Sequence, residues 1–386
     1  MSTLKVDAIR HNSATSDAIT TAADGTCTAK LTSVGGSGLS HRNKVINGGM
    51  TISQRGTTFS TTTSSVYTLD RFQIATGTAF NFDTTTTQDS STPDGFSKSL
   101  KITPDSTQTP TGSHNGTIRH MIEGQDVQDL AFGTSSAKSV TISFYAKSAS
   151  QNNNHQYGVQ LRCRDGSTTQ YVNQAFTVTS SWQRFTMTFV GNTGLAIRND
   201  NDNGFEICFH LASGPDDIVS AKSTWTTSGA FQTVTGQSNF MDNTSNEFYL
   251  TGVQLEVGDT VTSFEHRSYG EELRRCYRYF QRLTSSDNYQ WVSLVSFYSN
   301  TEIHGFLKHF ETMRAIPTLS ATTGANTFAV QRAGGAVAWS TGIIKNGGDL
   351  NMTYFYRDGV SLGTSGQCGR CLTWSAGSTI TLSAEL

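Results

Sequence analysis

The residues that could carry out catalysis do not occur in the arrangements that common reactions need. A hydrolase triad requires a serine on a constrained turn near a histidine base, and the G-x-S-x-G-like segment at 35–39 ends in leucine. Glycine patterns that bind phosphates are missing from the sequence. Cys368 and Cys371 form a CxxC pair, but no second Cys or His pair completes a zinc site. We therefore predict that the chain has no catalytic residues and is not an enzyme.

Paired carboxylates are the one arrangement that keeps an enzymatic alternative open, because glycoside cleavage uses two acids a few ångströms apart. Acidic residues lie close together at 123–129 and again at 216–217. A β-protein that degrades polysaccharide often carries a long parallel β-helix, and the sequence lacks the repeat that such a helix requires. The acidic clusters therefore do not change the prediction of a non-enzymatic protein.

One acidic loop, RNDNDNG at 198–204, could bind a metal ion. Its spacing resembles part of an EF-hand loop, with Asp200 and Asp202 as the candidate calcium ligands. It lacks the first aspartate of such a loop, and His210 stands at the twelfth position in place of glutamate. Asn203-Gly204 is also typical of a hairpin turn, here between 195–197 and 205–211. The loop keeps both interpretations, and no other cofactor is predicted.

Aromatic side chains provide the candidates for ligand binding. Sugar recognition needs flat aromatic faces beside amides and acids, and aromatic residues make up 10% of the chain. Four candidates lie in its C-terminal part: Trp291, Trp339, Tyr356 and Trp374. The alternative for each of them is packing in a β-sandwich core, which buries most aromatic side chains.

The composition indicates an extracellular type of β-protein. Charged residues make up 15% of the 386 positions, against ~25% in typical soluble chains, and Thr, Ser, Asn, Gln and Gly take their place. The net charge of −2 comes without a basic face, so nucleic acid is not an expected partner. The sequence has neither a membrane-spanning apolar run nor a signal peptide. We therefore expect a virion protein that is made in the host cytoplasm.

Alternation of apolar and polar residues predicts an all-β fold. Residues 1–43 are polar and glycine-rich towards the end and are predicted to form an N-terminal arm, which orders against a partner, and a linker. Repeated short alternating runs at 44–268, such as VTISFYA at 140–146, predict an antiparallel jelly-roll sandwich. Residues 269–386 are predicted to hold one connecting α-helix and a second, smaller β-domain.

The predicted helix begins with a capping box at Ser268 and Glu271 and continues to residue 283. Arg274, Arg278 and Arg282 follow at four-residue spacing and would form one basic row. That row is either a solvated face or a contact with another subunit. The three arginines are therefore candidate subunit contacts. Leu4 and Val6 are two more, because the N-terminal arm alternates there like a short strand. The candidate subunit contacts are thus Leu4, Val6, Arg274, Arg278 and Arg282.

Several sequence blocks resemble a phage tail-fibre family. Its opening segment is similar to NKVINGGM at 43–50, ISQRGT at 52–57 and YTLDRF at 67–72. Its closing segment is similar to FYLTGVQLEVG at 248–258, FEHR at 264–267 and YGEELRRCYRYF at 269–280. The start, STLKV at 2–6, resembles the N-termini of tail fibres from marine phages, including cyanophages. The chain departs from the family where Ser53 and Phe72 replace tryptophan.

The resemblance implies a jelly roll similar to carbohydrate-binding modules, carried in a homotrimeric tail fibre. It implies that the N-terminal arm binds phage tail or adaptor proteins. The C-terminal β-domain would be the receptor-binding tip, which contacts a host surface glycan or an outer-membrane receptor. The alternative is another virion structural protein, such as a head fibre, decoration or tail-adaptor subunit, which uses the jelly roll for subunit contacts. The motif residues themselves are expected to be buried scaffold.

Overall fold

A computed structural model describes residues 6–10, 12–13, 17–25, 27–29, 41–77, 80–166, 168–228, 230–284, 287–340, 342–359 and 363–386. In the N-terminal part, three short strands pair antiparallel: β1 (Ala8–Ile9), β2 (Ile19–Thr21) and β3 (Cys27–Ala29). Val6 is 42% exposed, and Leu4 lies outside the described residues. The predicted attachment role of this arm stays a prediction.

The first unit comprises strands β4 to β18. They are β4 (Thr58–Thr61), β5 (Val66–Tyr67), β6 (Phe72–Gly77), β7 (Thr84–Asp89), β8 (Ser99–Pro104), β9 (Asn115–Glu123), β10 (Val140–Ser148), β11 (Gln156–Arg164), β12 (Thr169–Thr177), β13 (Gln183–Phe189), β14 (Asn203–Ser213), β15 (Ile218–Val219), β16 (Lys222–Thr227), β17 (Thr233–Val234) and β18 (Phe248–Val257). Short 3-10 helices occur at Gly124–Leu130, Pro215–Asp217 and Phe240–Asp242.

Two sheets pack face to face in this unit. The six-stranded sheet has the order β13-β10-β18-β8-β7-β4, and the seven-stranded sheet has the order β16-β12-β11-β14-β9-β6-β5. The inward side chains of β10 and β14, such as Phe144 and Phe209, are fully buried in one apolar cluster. Alternation put these residues on one face, and burying them between two sheets is what stabilises the sandwich. The predicted antiparallel jelly-roll sandwich is confirmed.

The outward face of the seven-stranded sheet is also covered, which alternation did not predict. Glu206, His210 and Gln160 point away from the apolar core, yet all three are fully buried. The segment 230–238 lies over this face: the Phe231 ring packs 4.0 Å from the Arg162 guanidinium, and the Gln237 side chain donates to the His210 carbonyl at 2.9 Å. We call this segment the strap. Both faces of the sheet are therefore shielded from water.

The second unit comprises strands β19 to β28. They are β19 (Phe280–Arg282), β20 (Trp291–Phe297), β21 (Ile303–Lys308), β22 (Thr318–Ala321), β23 (Phe328–Arg332), β24 (Gly335–Trp339), β25 (Ile344–Gly348), β26 (Met352–Arg357), β27 (Cys368–Thr373) and β28 (Ile380–Ser383). A seven-stranded sheet has the order β24-β23-β27-β20-β21-β26-β25, and a three-stranded sheet has the order β19-β28-β22. An apolar cluster that includes Val295, Phe355 and Ile380 forms the core between them.

The connecting helix α1 (Tyr269–Tyr277) is shorter than predicted. It begins as expected, with the Ser268 hydroxyl accepting from the Glu271 amide at 3.2 Å. It ends because Phe280 and Arg282 belong to β19, which pairs with β28. Tertiary strand pairing thus overrides the helical spacing. Among the described residues, no helix is long and apolar enough to cross a membrane.

The residues of the opening blocks fix the loops of the first unit, as the sequence predicted. The Asn47 amide donates to the Ile52 and Asp70 carbonyls, both at 2.9 Å, and its oxygen accepts from the Ile52 amide. Burial raises the pKa of Asp70 to about 6, although Arg55 and hydrogen bonds from Gln54 oppose the shift. These contacts make the blocks structural.

The same blocks also join the two units. Arg71, which is 1% exposed, forms an ion pair with Glu385 and lies 3.5 Å from the centre of the Tyr279 ring. Arg55 contacts Glu385 as well, at 3.0 Å. The Gln54 amide donates to the Phe280 carbonyl at 2.9 Å. Buried charges of this kind are stable only when they are paired, so the junction constrains how the second unit sits on the first.

Candidate functional site

The outward face of the second unit's seven-stranded sheet is open to solvent, and we call it the open face. Strand pairing places Arg370, Leu294, Phe306 and Tyr354 in one row across β27, β20, β21 and β26. Leu294 is 65% exposed, and Phe306 and Tyr354 are each 50% exposed. The alternate residues of these strands point inward and form the core. The open face is thus rich in apolar side chains although it lies outside the core.

Aromatic rings gather at one end of this face, where β20 and β27 run side by side. Trp291 is 64% exposed, and the Arg370 guanidinium lies 4.5 Å from the centre of its ring. Arg370 also donates to the Gln331 side chain at 2.7 Å. Tyr289 and Trp374 form an edge-on pair with ring centres 5.1 Å apart. We call these five residues the Trp291 cluster.

The backbone holds the two halves of the Trp291 cluster together. The Tyr289 amide donates to the Thr373 carbonyl at 2.8 Å, and the Gln290 amide donates to the Thr373 hydroxyl at 2.9 Å. The segment before β20 is thereby fixed to the end of β27, next to Trp374. The cluster offers flat apolar ring faces together with N–H donors from Arg370 and Gln331. This combination suits a ligand that has both C–H faces and hydroxyl groups.

A second aromatic group lies across the face from the Trp291 cluster. His304 stacks on Tyr298 with ring centres 5.0 Å apart, and its Nε2 atom lies 2.8 Å from a Glu302 carboxylate oxygen. Tyr356, one of the predicted ligand residues, pairs with His304 across the strands and is half-buried. Tyr356 and Trp291 therefore lie on the same face but in different groups.

Trp339 requires a correction. Its side chain is only 3% exposed and belongs to the core of the second unit, where the ring stacks against Phe328 at 6.3 Å between centres. A buried indole has no face open to a sugar. The packing alternative applies to this tryptophan, and the predicted ligand residues that remain on the open face or at its end are Trp291, Tyr356 and Trp374.

The aspartates of the acidic loop at 198–202 lie close to arginine side chains of the same chain. Asp200 lies 3.4 Å from the Arg198 guanidinium, and Asp202 lies 3.8 Å from that of Arg314. In the part of the chain that the structure describes, no three His, Cys, Asp or Glu side chains are grouped to hold a metal ion. The hairpin alternative is wrong, because β14 already begins at Asn203 and Gly204 packs against the backbone of Gly124.

The three arginines of the predicted basic row have partners within the chain, and they do not share one helix. Arg278, at the end of α1, donates two hydrogen bonds of 2.6 Å to the buried Glu123 carboxylate. Arg274 contacts Glu311 at 2.9 Å, and Arg282 donates to the Thr284 carbonyl at 3.0 Å. The row therefore breaks into separate contacts. Glu123, one of the acids considered for glycoside cleavage, serves the junction between the units.

The exposure of Leu294, Phe306 and Tyr354 was not predicted from the sequence. Each is followed by an apolar residue that points into the core: Val295, Leu307 and Phe355. Two adjacent apolar positions in a short strand put one of them on each face of the sheet. This doublet, repeated in three strands, is the signal that could have identified the open face.

No protein-family model matches the chain, and no curated protein matches it. Among the solved structures to which the chain is similar are a CBM4 structure (18% identity, 43% of this chain and 73% of that chain, TM-score 0.25), the enzymatically active domain of bacteriophage CBA120 tailspike protein 4 (14%, 59% and 23%, TM-score 0.28) and a receptor binding domain (7%, 86% and 94%, TM-score 0.22). TM-scores this low carry no argument about function.

Proposed function

We propose that the chain is a non-enzymatic virion appendage of the phage tail-fibre type, which attaches to the host cell surface by binding a glycan at the Trp291 cluster. The observation that carries the proposal is the exposed Trp291 ring beside Arg370 and Gln331. The sequence blocks at 43–72 and 248–280 support the fibre assignment. The proposal includes a homotrimer whose N-terminal arm binds tail or adaptor proteins.

A glycan array tests the binding step. The full chain is applied to an array of bacterial surface polysaccharides, and the bound glycans are then titrated against the wild type and Trp291→Ala. We expect the substitution to weaken binding by roughly tenfold or more, since it removes a stacking contact worth about 1.4 kcal/mol or more. Trp291→Phe retains a flat ring and should recover part of the affinity.

Tyr269→Ala is the matched control, because Tyr269 is an exposed aromatic residue on α1. It should leave glycan binding unchanged. Equal losses in both variants would contradict the Trp291 cluster as the binding site. Release of reducing sugar from a bound polysaccharide would contradict the non-enzymatic part of the proposal. Binding to purified tails or capsids without adsorption to any cell in a panel of marine bacteria would favour a different virion subunit.

A further inference from the structure

The apolar row Leu294, Phe306 and Tyr354 lies next to the Trp291 cluster but differs from it in chemistry. The strand registers place Phe306 directly opposite Tyr354, and Leu294 follows on the neighbouring strand. Two further exposed side chains flank the row, with Tyr298 at 69% and Ile344 at 42% exposure. A groove of about 350 Å³ runs along the row and is lined by Leu294, Phe306, Tyr354, His304 and Cys368 among others.

Six exposed large hydrophobic side chains share this face: Trp291, Leu294, Tyr298, Phe306, Ile344 and Tyr354. Single exposed apolar residues need no explanation, but a contiguous patch marks a surface that a partner covers. The row itself carries no charged side chain, and Arg370 stands only at its end. The surface thus favours an apolar protein partner over a hydroxyl-rich sugar.

We infer that copies of this chain associate through the apolar row of the open face. The inference rests on the self-association included in the proposed function, and it names the surface responsible. The row, Tyr298 and Ile344 together offer roughly 500 Å² per copy, if a fully covered large side chain buries ~150–250 Å². This is the greater part of the ~800 Å² per partner in a standard stable interface.

The apolar character selects a second copy as the occupant. Interfaces between identical subunits are more apolar than transient interfaces, which resemble the general protein surface. A second copy of the chain is available wherever the chain is produced. In an assembly with closed symmetry, the apolar row of every copy is covered. Association here brings several Trp291 clusters together, because Trp291 and Leu294 lie on the same strand, β20. Multivalent attachment to a surface follows from that arrangement.

Sedimentation of the full chain tests the inference. We expect the wild type to sediment as an oligomer at micromolar concentration and the Leu294→Lys, Tyr354→Lys variant to sediment as a monomer. Both side chains are at least half exposed in the isolated chain, so the substitutions leave its core intact. Val190→Lys is the matched control, since Val190 is 54% exposed on the first unit, and it should remain oligomeric.

Cys368 provides a second readout within the groove. Its side chain is exposed and lies on the open face beside Ser296, whereas Cys163, Cys208, Cys276 and Cys371 are buried. In a Cys27→Ser background, maleimide should label Cys368 slowly in the wild-type oligomer and at least tenfold faster in the lysine variant. Equal labelling rates in the two proteins would overturn the inference.

The outcomes separate this inference from the proposed function. A wild-type chain that is monomeric but binds glycans overturns the inference and leaves glycan attachment standing. A lysine variant that stays fully associated overturns the apolar row as the interface. An oligomer that dissociates as expected, yet adsorbs to no glycan and no cell, supports the inference and overturns the proposed attachment.

Discussion

The two seven-stranded sheets of this molecule treat their outward faces in opposite ways. In the first unit, the outward face is polar and charged, with Glu206 and His210 fully buried beneath the strap. In the second unit, the outward face is rich in apolar side chains, with Leu294 and Phe306 at least half exposed. Polar side chains are thus hidden from water on one sheet, while apolar side chains are presented to it on the other.

The two faces differ in whether the chain itself supplies partners for their side chains. Glu206 is paired within the chain, with Arg162 at 2.7 Å and Arg164 at 2.9 Å, and the Phe231 ring of the strap covers Arg162. A buried charge needs such partners, and here the chain supplies them. The apolar row of the second unit has no comparable cover among the described residues. The buried carboxylate of the first face is paired within the chain, whereas the apolar side chains of the second face are open to solvent.

Removing one carboxylate from each face tests the difference between the covered face and the open face most directly. Burial alone would raise the pKa of Glu206, but the nearby guanidinium groups of Arg162, Arg119 and Arg164 lower it, so the buried group is a carboxylate. Glu206→Gln leaves the buried Arg162 without its counter-ion and should cost about 3–5 kcal/mol of unfolding free energy. Chemical denaturation of the purified variant measures this loss.

Glu302→Gln is the matched control on the open face. Its carboxylate contacts His304 at 2.8 Å, but both side chains are about one-third exposed. A solvent-exposed pair of this kind contributes at most about 1 kcal/mol. Similar losses in the two variants would contradict the contrast between a covered and an open face.

The pH dependence of the unfolding free energy provides a second test of the difference between the two faces, and the expected effect is somewhat smaller. Burial, aided by Arg162, lowers the pKa of His210 to about 3. The unfolded chain takes up a proton at about pH 6.5 that the folded chain does not, so stability falls as the pH drops below that value. His210 alone should cost about 2 kcal/mol between pH 7 and pH 5.

Unfolding measurements on His210→Gln at both pH values isolate this contribution. The variant should lose about 2 kcal/mol less than the wild type on going from pH 7 to pH 5. If His210→Gln keeps the full pH dependence, His210 is not held neutral beneath the strap.

Much of the fold could be predicted from the sequence because alternation and burial coincide in the first unit. The runs around Phe144 and Phe209 gave the correct inward faces. The strap was not predictable, because its cover over Glu206 depends on a long-range contact from Phe231. The end of α1 was missed for a similar reason: the pairing of β19 with β28 joins residues a hundred positions apart.

The candidate site was predicted only in part. Trp291 and Trp374 were named from residue type alone, and the structure brings them to one end of β20 and β27. Trp339 has the same chemistry but lies in the core. Residue type cannot distinguish the two environments, because both tryptophans flank alternating strands. The position of Arg370 against Trp291 depends on sheet order, which local sequence does not determine.

The smallest expected change in unfolding free energy comes from a substitution at Leu294. Its comparison with the same substitution at Val295 tests directly which face of β20 is open to solvent. Leu294 and Val295 are neighbours in β20, but Leu294 is 65% exposed and Val295 is 3% exposed. In a Tyr354→Lys background, which places a charge in the apolar row, Leu294→Thr should change the unfolding free energy by at most about 0.5 kcal/mol. Val295→Thr buries an unpaired hydroxyl and should cost about 1–3 kcal/mol. Equal costs would mean that Leu294 packs within its own chain, and the apolar row would then be part of the second unit's core and not a surface for another copy.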